Sequence, residues 1–98
     1  MKVAGGCYCG EIRFEAEGAL EAAFQCHCRE CQYRTGGNRN IVMVFAQRDF
    51  RYISGNPAKF ARTDLPTPVE RSFCQDCGTA IGSISPPRPN SMIVNVGD

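Results

Sequence analysis

The stretch Phe73-Cys74-Gln75-Asp76-Cys77-Gly78 places two thiols on either side of a two-residue turn. With this spacing both sulfurs can face one tetrahedral ion, and the glycine allows the tight turn that points backbone N–H groups at sulfur. A shorter unit of the same kind, Cys7-Tyr8-Cys9-Gly10, lies near the start of the chain. Such paired units rarely arise by accident, so they predict one closed zinc site, with buried free thiols as the weaker alternative. The expected ligands are Cys7, Cys9, Cys74 and Cys77.

A second cluster, Cys26-His27-Cys28-Arg29-Glu30-Cys31, supplies three more thiols. Three protein ligands leave the fourth position of zinc open, as in catalytic sites, and an open zinc can hold an added thiol as a thiolate. The residues leave three alternatives: a redox-active pair, a second structural zinc completed by another side chain, or a site that is empty until substrate arrives. The expected ligands, and the catalytic residues, are Cys26, Cys28 and Cys31.

His27 is the only histidine of the chain. It lies between two expected ligands, and neighbouring side chains diverge on an extended or turn backbone. We therefore expect it beside the zinc, as a hydrogen-bonding or proton-handling group, and not as a fourth ligand. The alternative is an imidazole that is bonded to a backbone carbonyl.

Positive charge follows the second cluster along the sequence. Zinc with three thiolates carries a formal charge of about −1, which nearby arginines would offset. Arginine also binds carboxylates in bidentate fashion, and glycines let a ligand approach the backbone. Solvated surface arginines are the commoner alternative. The expected ligand-binding residues are Arg29, Arg34, Gly36, Gly37 and Arg39.

Length and composition set the broad class. The chain has 98 residues, enough for one domain, and seven cysteines, an odd number that a pure disulfide framework would not use up. Eleven Lys and Arg against ten Asp and Glu argue against a nucleic-acid partner. No apolar run approaches the roughly 20 residues of a membrane span, and the first residues lack a signal-peptide pattern. We expect a cytoplasmic protein with no membrane partner.

Most of the chain has the pattern of short strands with Gly/Pro turns, which predicts an all-β domain. Residues 11–17 alternate polar and apolar side chains, and residues 41–46 form a β-branched and aromatic run typical of a buried strand. Residues 19–25 form a short apolar segment, and 29–35 are expected to form at most a short helical turn. Further strands are predicted at 50–53, 59–62, 69–73 and 92–96.

The three cysteine segments, with Thr35-Gly36 and Thr79, resemble those of the glutathione-dependent formaldehyde-activating family, the GFA or CENP-V/GFA domain. The order and spacing of all seven cysteines match over nearly the whole chain. The resemblance implies a single Mss4-like β-tent domain over residues 1–98, with a structural zinc on the four-cysteine set and a catalytic zinc on the three-cysteine set. Family members usually continue past Val96, so we expect this chain to be short at its C-terminus.

The resemblance also implies an activity. Glutathione, as co-substrate, would add to formaldehyde to give S-hydroxymethylglutathione, and the reverse reaction would be carbon–sulfur lysis. A non-catalytic zinc module that binds a protein or a small thiol is the second hypothesis, since one fold hosts many functions. A redox or metal sensor that uses the three-cysteine set as free thiols is the third. The sequence leaves a homodimer open.

Overall fold

The computed structural model describes residues 1–96, so the last two residues of the expected 1–98 domain lie outside the described part. Two antiparallel sheets and one short α-helix make up this part of the chain. None of its helices is long and apolar enough to span a membrane. The elements are β1 (Lys2–Gly6), β2 (Arg13–Glu17), β3 (Ala22–Cys26), α1 (Arg29–Thr35), β4 (Asn40–Ala46), a 3-10 turn (Gln47–Asp49), β5 (Phe50–Ser54), β6 (Ala58–Phe60), β7 (Glu70–Phe73), β8 (Ala80–Ile84) and β9 (Ser91–Asn95).

The smaller sheet has the strand order β1-β2-β5. Its central strand β2 buries Phe14 and Ala16 and exposes the residues on either side to differing extents, as the alternation in the sequence predicts. The ring of Phe14 packs on Phe50 of β5, with 5.3 Å between the ring centroids. The sheet therefore offers one apolar face to the rest of the molecule.

The larger sheet has the order β3-β4-β9-β8-β7-β6. On one of its faces Phe45 lies opposite Met92, and both belong to the buried core that contains Phe14 of the smaller sheet. Cys7 and Cys74 are members of the same core. The four-cysteine set is therefore anchored in the main hydrophobic cluster of the domain.

The other face of the larger sheet carries a different row of side chains. Directly opposite residues of an antiparallel ladder lie on the same face. The register pairs Phe60 with Arg71, Arg71 with Ser83, and Ser83 with Ile93. An arginine of β7 is thereby placed in line with the apolar side chains of the central strands, on the face away from the core.

The all-β prediction is confirmed, and the six predicted strands correspond to β2, β4, β5, β6, β7 and β9 with shifted ends. The expected helical turn is α1, and the apolar segment 19–25 overlaps β3. Two strands, β1 and β8, were not predicted, because Gly5, Gly6 and Gly82 depress β propensity. Gly82 is required by its neighbours: a Cβ there would overlap the carbonyl oxygen of Ile93 on the adjacent strand.

Candidate metal centres

The four-cysteine set is assembled from two turns. Cys7 and Cys9 follow β1, and Cys74 and Cys77 lie between β7 and β8. The four sulfurs lie within 4.8 Å of one another. Measured separations are 3.5 Å between the sulfurs of Cys7 and Cys9 and 3.7 Å between those of Cys9 and Cys74. Four sulfurs at about 2.3 Å from a tetrahedral ion would be about 3.8 Å apart, so the set fits a metal ion.

Backbone groups support these sulfurs. The N–H of Ile12 donates to Cys7 Sγ at 3.3 Å, and the glycine of the C-terminal turn, Gly78, takes the left-handed conformation with φ of 79°. Its N–H donates to the carbonyl of Cys74 at 2.8 Å and closes the turn. The glycine that follows the second cysteine is therefore required by the backbone, as the sequence suggests.

The three-cysteine set is built around the start of α1. Cys26 ends β3, Cys28 caps the helix, and Cys31 lies in its first turn. The N–H of Cys31 donates to Cys28 Sγ at 3.4 Å, so one ligand candidate caps the helix that carries the next. The three sulfurs lie within 4.8 Å of one another and could hold a metal ion.

The local environment sets the thiol acidities. The hydroxyl and backbone N–H of Thr79 lower the pKa of Cys77 to about 5, and the N–H of Cys31 lowers the pKa of Cys28. Burial raises the pKa of Cys31 to about 12. A cation at the centre of the cluster would reverse that last effect, because a coordinated thiol is deprotonated. A bound cation would therefore favour the ionised form of this buried sulfur.

A cavity of about 190 Å³ lies directly against the three-cysteine set. All three cysteines line it, as do Phe24, Val42 and Ile93 from the sheet face that points away from the core. The three-cysteine set therefore borders space that a small ligand can enter.

A known protein family matches nearly the whole sequence of this chain. The model of the family described as "Glutathione-dependent formaldehyde-activating enzyme" (GFA) matches residues 2–98, which include both cysteine sets. The chain belongs to the GFA family. Its all-β architecture of two antiparallel sheets is that of a small Mss4-like domain, as the resemblance implied.

Individual proteins are also similar to this chain. A protein of Halomonas elongata, named "Putative glutathione-dependent formaldehyde-activating enzyme", is 29% identical over 94 residues, which cover 91% of this chain. The chain spans 60% of that curated relative's length. A crystal structure of a Rhodobacter sphaeroides protein superposes with a TM-score of 0.78 at 25% identity and covers 97% of this chain and 85% of that one.

Of the residues expected to bind a ligand in this GFA domain, one lines a cavity and the other four do not. Arg34 lines a second cavity, of about 250 Å³. Arg29 donates to the side chain of Gln32 and lies over the ring of Tyr33, 4.7 Å from its centroid. The expected residues absent from the lining of both cavities are Arg29, Gly36, Gly37 and Arg39.

Gly36 has a role in the backbone. It caps the C-terminus of α1 in the left-handed conformation, with φ of 77°. His27, the residue expected beside the metal, is exposed, and its backbone carbonyl accepts a hydrogen bond from the side chain of Gln32 at 3.0 Å. It is not among the residues that line the cysteine cavity.

Two charged residues of the site were missed in the sequence. Arg71 of β7 and Glu30 of α1 both line the cysteine cavity, and they form an ion pair with 3.4 Å between Nη2 and Oε2. Glu30 stands inside the quoted cysteine motif. Arg71 lies in a mostly half-buried strand, three positions before Cys74, and this short distance along the chain was the available signal. The side chain of Arg71 faces the cavity only because of the register of the sheet.

Proposed function

We propose that the chain binds zinc at both cysteine sets and acts at the three-cysteine set on the adduct of glutathione with formaldehyde. The observation that carries the proposal is the placing of three clustered sulfurs on the wall of a cavity, next to an arginine. The family membership and the name of the Halomonas elongata relative support this substrate. The activity class is that of a carbon–sulfur lyase working in either direction.

The two sets would divide the work. Cys7, Cys9, Cys74 and Cys77 would fill all four positions of a zinc ion, and Cys7 and Cys74 are part of the core. A closed set of this kind stabilises the fold and leaves no position for substrate. The reactive site would therefore be the three-cysteine set.

Cys26, Cys28 and Cys31 would hold the second zinc, which supplies a position for an added thiol and lowers that thiol's pKa. The cavity beside these residues, about 190 Å³, is smaller than the roughly 300–1,000 Å³ of typical ligand pockets. It would hold the cysteinyl part of glutathione and a one-carbon aldehyde. The charged ends of the tripeptide would extend over Glu30 and Arg71 toward the second cavity.

The chemistry that this site would support is the addition of sulfur to a carbonyl. The sulfur of glutathione forms a bond to the carbon of formaldehyde as the carbonyl π electrons move to oxygen. The oxygen then takes up the proton that the thiol has lost. In the reverse direction the hydroxyl loses its proton, the carbon–sulfur bond breaks, and the thiol is restored. The apolar side chains of Val42 and Ile93 would limit water at the reacting atoms.

The test is exchange NMR of glutathione and formaldehyde with the zinc-loaded protein. We expect adduct formation faster than the uncatalysed background and a fall to background in Cys28→Ser, with the fold retained. Glu17→Gln, an exposed change on β2, is the control and is expected to keep the full rate. A wild-type rate equal to background refutes the enzymatic proposal. Tight glutathione binding at that background rate would instead support a non-catalytic thiol-binding module.

A further inference from the structure

The Glu30–Arg71 ion pair lies where the cysteine cavity meets the second cavity, and the two cavities together are called the groove here. Both residues line the cysteine cavity, and both also line the second cavity. That second cavity adds Arg34 and Arg62 together with the rings of Tyr33 and Phe60. A ligand that reaches from the cysteine sulfurs to the arginine-lined surface has to pass over this pair.

The ion pair between Arg71 and Glu30 has weak geometry. Strong arginine–carboxylate pairs have two N–O contacts of about 2.7–2.9 Å, whereas Arg71 and Glu30 share one contact at 3.4 Å. The side chain of Arg71 is 17% exposed, and that of Glu30 is 52% exposed. A guanidinium has five N–H donors, and within residues 1–96 Glu30 is the single side chain that accepts from Arg71. A second carboxylate could therefore take this place at little cost.

The position of Glu30 also makes it a competitor of acidic ligands. It lies between Cys28 and Cys31, so its negative charge is close to a cluster that is itself negative with bound zinc. A ligand carboxylate in this groove would be repelled by Glu30 and attracted by Arg71. Since the Glu30 side chain is half exposed, it can turn into water when a ligand replaces it.

We propose that Arg71 binds a carboxylate of an acidic thiol substrate and that Glu30 occupies Arg71 until the substrate displaces it. This inference rests on the proposed function, in which the cysteine cavity takes a thiol. It identifies Arg71 as a specificity residue that selects carboxylate-bearing thiols over neutral ones. It identifies Glu30 as a residue that limits their affinity.

The experiment is calorimetric titration of the zinc-loaded protein with glutathione and with its diethyl ester, which lacks both carboxylates. The readout is the ratio of the two affinities. We expect wild type to prefer glutathione, Arg71→Gln to reduce that preference about tenfold or more, and Glu30→Gln to raise it several-fold. In the double variant Glu30→Gln/Arg71→Gln, the higher preference for glutathione expected of Glu30→Gln should vanish, because both residues act on the same ligand carboxylate.

Matched controls separate a local effect from net charge. Glu17→Gln and Arg88→Gln make the same charge changes away from these cavities and should leave the ratio unchanged. Arg71→Lys keeps the charge without the fork and should show an intermediate ratio, which also covers misfolding of Arg71→Gln. An unchanged or lower preference in Glu30→Gln, or equal loss of both ligands in the Arg71 variants, overturns the inference alone. Binding of neither thiol by wild type overturns the proposed function as well.

Discussion

The sulfurs of Cys9 and Cys74 lie 3.7 Å apart although 65 positions separate the two residues in the sequence. Cys9 belongs to the turn after the first strand of the small sheet, and Cys74 to a turn of the large sheet. A metal ion held by both would cross-link the two sheets of the domain. The stability of the fold should therefore depend on this set much more than on the three-cysteine set.

Cys74→Ser is expected to destabilise the protein strongly. By analogy with a covalent cross-link closing a loop of this length, loss of the constraint costs about 4 kcal/mol, which lowers Tm by about 15–30 °C for a domain of this size. Circular dichroism melts of the zinc-loaded proteins measure the change. Cys28→Ser, in the other set, is the matched control. Equal losses of Tm in the two variants would contradict the division into a structural and a reactive site.

Thr79 connects the two turns of the four-cysteine set. Its hydroxyl oxygen accepts a hydrogen bond from the N–H of Tyr8 at 3.0 Å and lies 3.2 Å from Cys77 Sγ. Thr79→Val keeps the shape and removes both contacts, so it should cost about 1–2 kcal/mol. Urea unfolding of the zinc-loaded protein measures this cost, and release of zinc to a chromogenic chelator should accelerate. Thr79→Ser keeps the hydroxyl and should resemble wild type; an equal loss in Thr79→Ser would contradict the assignment of the cost to the hydroxyl contacts.

The sequence was informative where a local pattern determines the structure. Alternation identified β2, and cysteine spacing grouped residues that the fold brings together. The arginines were harder to assign, because an arginine can bind a ligand only if its side chain points toward the cavity. Arg29 and Arg34 are five positions apart, so they point about 140° apart around α1. Arg34 lies three positions after the buried Cys31 and shares its side of the helix, a signal that becomes readable once Cys31 is known to point inward.

The direction of the Arg71 side chain could not be predicted from the local sequence pattern. Its strand was predicted, but which side of that strand faces the groove depends on its pairing with β6 and β8. A bulge between Ser72 and Phe73 also shifts the register just before Cys74. The side-chain direction of Arg71 is thus a property of the assembled sheet, and the spacing to Cys74 along the chain does not determine it.

Phe45→Ala tests the shared core of the two sheets. Phe45 is fully buried on β4 and belongs to the same cluster as Cys7 and Cys74. Its truncation should cost about 3–5 kcal/mol, from lost burial and the cavity that remains. Urea unfolding measures this cost, and Ile53→Ala, which truncates an exposed apolar side chain on β5, should change stability by less than about 1 kcal/mol. Similar losses in both variants would be inconsistent with a core centred on Phe45.

Glu15 should make stability depend on pH. The hydrogen bond from Arg51, with Nε at 2.9 Å, lowers the pKa of Glu15 in the folded protein. A lowered folded-state pKa adds stability above the unfolded-state pKa, and this is lost as pH falls through the folded value. Glu15→Gln should therefore be less stable than wild type at pH 7, and the difference should shrink below about pH 4. Comparing the two proteins at each pH is necessary because acid also releases zinc from both. A gap for Glu15→Gln that grows in acid would contradict the assignment to Arg51.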